Sequence, residues 1–103
     1  MAYFPNWRDE KTDVLVKAFL SLKNEDDVYR FLDDICTISE IKAMAQRLEV
    51  AQLLMDNITY NQIAKDTGAS TATISRVKRC LDYGADGYRR VLRYLKEEKQ
   101  DEE

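Results

Sequence analysis

The sequence predicts an all-α fold of six helices in one domain of 103 residues. That length sits among the ~100–150 residues common for domains. Three observations carry the expectation. Apolar residues return every three or four positions in segment after segment, the period of one helix face. Residues able to cap a helix (Asn24, Thr37, Thr59, Ser70 and Asp86) stand where one segment gives way to the next. Residues 59–78, TYNQIAKDTGASTATISRVK, fit two short helices around a tight turn.

The first eight residues hold Tyr3, Phe4 and Trp7 around Pro5. An arm this short builds no core, so it is expected to dock on another helix or on a second subunit. Residues 9–23 form a helix with Val14, Leu15, Ala18, Phe19 and Leu22 on one side, and Asp9 and Glu10 suit the positive end of its dipole. Asn24 caps a second helix over residues 25–36, whose inner side is Val28, Phe31, Leu32 and Ile35. Asp26, Asp27, Asp33 and Asp34 make its outer side acidic, the pattern of a solvated face. Thr37 and Glu40 have the spacing of a capping box and open a third helix that runs to about Met55. Ile41, Met44, Ala45, Leu48, Ala51 or Gln52, and Met55 form its stripe, which Leu53 and Leu54 widen. So much apolar surface exceeds what one small chain covers, and dimerisation would cover it.

Thr59 opens the fourth helix, with Gln62 three residues on to complete a capping box. Gly68 ends it, because the left-handed conformation needed there costs glycine nothing. Ser70 caps the fifth helix, which runs to about Tyr83 and stops at Gly84; Ile63, Ala64, Ile74 and Val77 point inward. Asp86 caps a final helix over residues 87–98, with Tyr88, Val91, Leu92 and Leu95 buried and Arg89, Arg90, Arg93 and Lys96 outside. Residues 97–103 are read as an acidic, fraying tail.

The outer face of the fifth helix carries the functional expectation. Thr71, Ala72, Thr73 and Arg76 are short hydroxyl or apolar groups followed by a cation, which suits close approach to base edges. Ser70, Ser75, Lys78 and Arg79, with Gln62 and Lys65 on the preceding helix, are candidate phosphate contacts. Charge is distributed accordingly. The chain's net charge is −3, but residues 1–57 carry −4, residues 58–96 carry +5 and residues 97–103 carry −4. The positive charge is gathered around the paired helices, as expected when one face meets phosphates.

Other chemistry lacks its residues. There is no histidine, and Cys36 and Cys80 have no metal-ligand spacing, so a structural zinc site is not expected and both thiols are read as free. No nucleophile elbow or phosphate-binding glycine loop is present, and no catalytic residue or cofactor is assigned. No apolar run approaches the ~20 residues of a membrane span, and a cytoplasmic, nucleoid-associated protein is expected.

The segment GASTATISR, residues 68–76, resembles the turn and recognition helix of the Trp repressor family. ISEIKAMAQRLEVAQLL and YGADGYRRVL, together with Trp7, are closer still to its YerC/YecD branch. The resemblance implies an intertwined homodimer whose recognition helices enter successive major grooves of a pseudo-palindromic operator, with half-sites ~34–36 Å apart. It also implies an effector pocket at Gln46, Arg47, Thr73, Arg76 and Val77. In the tryptophan-binding pattern two arginines flank the indole and a glycine leaves room for it. Here Arg76 and Thr73 match, whereas Gln46 replaces one arginine and Val77 replaces the glycine. These departures argue against L-tryptophan and leave the identity of any small-molecule effector open.

The sequence is therefore read as a dimeric transcriptional regulator, most simply a repressor, that binds double-stranded DNA. The alternative is a helical dimeric adaptor for another protein, motivated by the acidic second helix and the aromatic arm.

Overall fold

The computed structural model describes residues 3–102. Its six helices are α1 Glu10–Leu20, α2 Glu25–Ile35, α3 Ile38–Met55, α4 Tyr60–Thr67, α5 Thr71–Tyr83 and α6 Gly87–Glu102. The all-α expectation holds. The chain divides into two compact units that part between Ile38 and Ser39.

The first unit is a helical hairpin. Asp9 stands just outside α1 and accepts from the Thr12 amide at 2.8 Å, while the Thr12 hydroxyl accepts from the Asp9 amide at 2.8 Å. This reciprocal capping box holds the Asp9 carboxyl below its usual pKa, first through the Thr12 amide and then through the Thr12 side chain. The Ser21 hydroxyl donates to the Ala18 carbonyl at 2.6 Å and α1 stops at Leu20, short of the expected Lys23. Asn24 caps α2, accepting from the Asp27 amide at 2.9 Å. Phe19 and Phe31 meet edge to face across the hairpin, ring centroids 5.1 Å apart. Arg8 fixes the N-terminal arm: its guanidinium pairs with Asp13 at 2.7 Å and lies 4.6 Å from the centre of the Phe4 ring. No described residue before Val50 is fully buried, so this hairpin has no closed core of its own.

The second unit has one. Val50 and Ala51 of α3, Ile63 of α4, Ile74 and Val77 of α5, and Leu92 of α6 pack together. Ile63, Val50 and Ile74 are inaccessible to solvent. The expected stripe of α3 is kept in part. Ala51 and Leu54 are buried and Leu48, Leu53 and Met55 pack against the core, whereas Met44, Ala45 and Gln52 are exposed and Val50, outside the expected stripe, is buried. The physical reason is that α3 is apolar on several sides, and the position of its neighbours selects which side is covered.

The link from α3 to α4 is a Schellman turn. Asn57 adopts φ 62°. The Ile58 amide reaches the Leu53 carbonyl at 3.1 Å, and the Asn57 amide reaches the Leu54 carbonyl at 3.0 Å. Ile58 and Leu53 both pack against the core.

The last turn also differs from expectation. Gly84 ends α5 with φ −87° and ψ −154°, and the left-handed residue is Asp86 at φ 66°. Glycine is needed at residue 84 for space, since a Cβ there would collide with the Cys80 carbonyl. The Asp86 carboxylate does not serve as the expected cap but engages the Arg90 guanidinium at 3.2 Å. Its left-handed backbone departs from the extended geometry from which a side chain reaches the free amides. α6 then continues to Glu102, past the expected stop at Glu98, through Glu, Lys and Gln residues that favour helix. Leu92 is buried and Tyr88 half-buried, but Val91 and Leu95 remain about half exposed.

Candidate nucleic-acid interface

Local hydrogen bonds set the angle between α4 and α5. Thr59 caps α4 by accepting from the Gln62 amide at 3.2 Å. The second half of the expected capping box is not made, because the Gln62 side chain donates to the Asp66 carboxylate at 2.7 Å. An anionic acceptor one turn away outcompetes a neutral partner. Gly68 takes φ 75° and ψ 4°, and its amide closes the helix on the Ala64 carbonyl at 2.9 Å. The Thr67 hydroxyl donates to the Ile63 carbonyl at 2.8 Å and accepts from the Ala69 amide at 3.1 Å. Ala69 is buried beneath the turn. Ser70 caps α5, accepting from the Thr73 amide at 3.1 Å. Caps, turn and core therefore hold α5 at one inclination without any bound partner.

On α5 the core side is Ile74, Val77 and Leu81. At about 100° per residue, Ala72, Arg76, Arg79 and Tyr83 form the opposite row, and all four are exposed. Thr71, Ser75 and Lys78 are exposed on one flank. Thr73 lies on the other flank, half-buried, with its hydroxyl held by that of Ser70 at 3.1 Å. The candidate base-reading group therefore comprises three open positions and one engaged in the cap. Among the candidate phosphate contacts, Lys78 is drawn toward Asp82 at 3.4 Å, whereas Arg79 makes no ion pair among the described residues. On α4, Gln62 and Lys65 are exposed, and so is Asn61. Asn61 was not among the sequence candidates, although its position two residues before buried Ile63 already places it on the far side of the helix.

Two of the candidate effector positions, Gln46 and Val77, are occupied by structural roles. Gln46 donates to the Thr67 carbonyl at 3.2 Å, and Val77 is 1% exposed in the core. Arg47 is half-buried and lines a cleft of about 540 Å³ with Met44, Cys80, Gly84 and Tyr88. Gln46, Thr73, Arg76 and Val77 do not line that cleft. The basic stripe expected on α6 is split. Arg89 is half-buried and donates to the Leu81 carbonyl at 3.2 Å, and Arg90 pairs with Asp86. Arg93 and Lys96 border a groove of about 720 Å³ against Met55 and Leu92. Both thiols are free, Cys36 half-buried and Cys80 exposed. Among the described residues no cluster of His, Cys, Asp and Glu is placed to hold a metal, and no helix is long and apolar enough to cross a membrane.

Two capped helices joined through a left-handed glycine, the second presenting short side chains and cations away from the core, define a helix-turn-helix protein. The chain belongs to the Trp repressor family, whose model, described as Trp repressor protein, matches residues 10–96. It is 56% identical over 90 residues to the uncharacterized protein YerC of Bacillus subtilis, covering 87% of this chain and 86% of that one. Its structure superposes with a TM-score of 0.82 on a TrpR-like protein from Eubacterium eligens, 52% identical, over 85% of this chain and 91% of the other. A candidate Trp repressor from Staphylococcus aureus gives a TM-score of 0.83 at 44% identity, over 87% and 90%. These likenesses put the chain in the Trp-repressor-like YerC family, a family of helix-turn-helix DNA-binding regulators.

Proposed function

We propose that this protein is a homodimeric repressor that binds a pseudo-palindromic duplex through α5 and acts by occluding the promoter. The supporting observation is the exposed row Ala72, Arg76 and Arg79, fixed opposite the buried Ile74, Val77 and Leu81. Ala72, with Thr71 and Thr73 beside it, sits at the N-terminal end, where a recognition helix approaches base edges. Arg76 follows within reach of bases. Arg79 and Ser75, with Ser70, Lys65, Gln62 and Lys78, are assigned to the phosphates.

The homodimer is supported by apolar surface left open in the first unit, with Leu20 80% and Val14 66% exposed, and by Ile38 at 74%. Burial against a second copy removes such surface from water at roughly 25 cal/mol per Å². Val77 in core space and Gln46 bonded to Thr67 argue against L-tryptophan as effector.

Selection of bound duplexes from a random pool, followed by fluorescence anisotropy at several salt concentrations, tests the proposal. A recurring two-fold motif and a double variant Arg76→Ala/Arg79→Ala with much weaker binding are expected. Unchanged binding by that variant removes the assigned face. A second reading, a helical adaptor for another protein, is favoured by the exposed Tyr3, Phe4 and Trp7. It replaces the first if the purified protein binds no duplex at low salt yet forms a stable complex with a protein partner.

A further inference from the structure

The exposed row of α5 does not end with its last cation. Tyr83 follows Ala72 by eleven residues, which brings it within about 20° of the same line along the helix. It is the last residue of α5 and is 85% exposed. Among the described residues its hydroxyl makes no hydrogen bond. Gly84 follows it, and the chain turns away.

The helix length gives this position meaning. The 13 residues of α5 form a rod about 20 Å long at ~1.5 Å per residue. The major groove is only ~12 Å wide. A helix that enters the groove by its N-terminal end and crosses it, with Ala72 and Arg76 toward the base edges, carries its last turn beyond them to the sugar–phosphate wall. The side chain that the row presents there is a phenol, which combines an apolar ring with a hydroxyl donor.

We propose that Tyr83 is a DNA-positioning residue: its hydroxyl donates to a backbone phosphate oxygen at the edge of the groove, and its ring covers the adjacent sugar. The proposal rests on the reading of α5 as the recognition helix. It extends the row Ala72–Arg76–Arg79 by one residue that is neutral and contributes through a hydrogen bond rather than through counterion release.

That difference supplies the test. The full-length protein is titrated against a duplex obtained by random-pool selection, at several KCl concentrations, as wild type, Tyr83→Phe, Tyr83→Ala and Arg79→Ala. Tyr83→Phe, which removes only the hydroxyl, is expected to weaken binding about tenfold per protomer, the scale of a hydrogen bond to a charged group, and so about a hundredfold for the dimer. Its base preference and salt slope are expected to stay those of wild type. Arg79→Ala is expected to reduce the slope by about 1.8, two phosphate contacts per dimer at ~0.9 each. Wild-type affinity in Tyr83→Phe overturns the proposal. So does a change of molecular mass in either Tyr83 variant, measured by sedimentation, since that makes Tyr83 a subunit contact. If wild type binds no duplex at all, the reading of α5 fails and this inference fails with it.

Discussion

The side-chain amide of Gln46 donates to the main-chain carbonyl of Thr67 across 3.2 Å, tying the middle of α3 to the last turn of α4. The carbonyls of a helix's final turn lack intrahelical partners, so this bond satisfies an acceptor that the turn leaves over. It also braces the segment that aims α5. Gln46→Ala is expected to lower stability by about 1 kcal/mol, read as the midpoint of a urea melt. With this position committed and Val77 in the core, millimolar L-tryptophan is expected to leave the melting temperature of the wild type unchanged. A saturable upward shift counts against the reading of this pocket position.

Gly68 and Gly84 bracket α5 for different reasons, and substitution separates them. A Cβ at Gly68 meets nothing within 4 Å, so the penalty of Gly68→Ala comes from backbone at φ 75°, about 1–2 kcal/mol for a left-handed residue. Gly68→Asn is expected to recover part of it, because asparagine tolerates that region. Gly84→Ala instead drives a Cβ into the Cys80 carbonyl. It is expected to loosen the end of α5, seen as faster amide exchange there, and Asn is expected to give no rescue.

Lys78 and Arg79 are neighbours in sequence with unequal freedom. Lys78 lies on the flank of α5 and faces Asp82 at 3.4 Å, whereas Arg79 stands in the outer row. Arg79→Ala is therefore expected to reduce DNA affinity more than Lys78→Ala does when salt titrations are compared. Asp82→Ala, which releases Lys78, is expected to strengthen binding. Equal losses for the two cations contradict the assigned orientation of α5.

Asp9 makes the stability of α1 depend on acid. Its carboxyl is held below the ordinary value of 3.8 by the Thr12 amide and side chain. Because the folded pKa is depressed, the charged cap stabilises the fold above the unfolded value, and that contribution is lost as pH falls through the folded one. Melting temperature is thus expected to drop on acidification below about pH 4. Asp9→Asn keeps a capping oxygen without titrating, so its acid-side profile is expected to be shallower. Superimposable profiles rule out this role for Asp9.

Legibility in the sequence followed the range of the interactions involved. Asn24, Thr59 and Ser70 were recognisable as caps because each bonds an amide only three residues away. The buried faces of α4 and α5 were recognisable for a similar reason: each helix is apolar on one side only. α3 offered several apolar sides, and its pattern alone could not show that Val50 would be covered while Met44 and Ala45 stayed open. Asn57 ends α3 in the left-handed conformation that glycine more often takes, so its residue type alone did not mark the stop.

The sequence by itself determined the helix-turn-helix: its caps, its glycine turn, and the row of short and cationic side chains on α5. All of these depend on spacing within one or two turns of chain. Tertiary structure decided how polar side chains with more than one available partner were used. Arg89 went to the Leu81 carbonyl and Gln46 to the Thr67 carbonyl, each on a different helix from its partner. Flexible polar groups bond the acceptor that folding brings nearest, and that distance is set by helix packing and side-chain geometry together rather than by residue type.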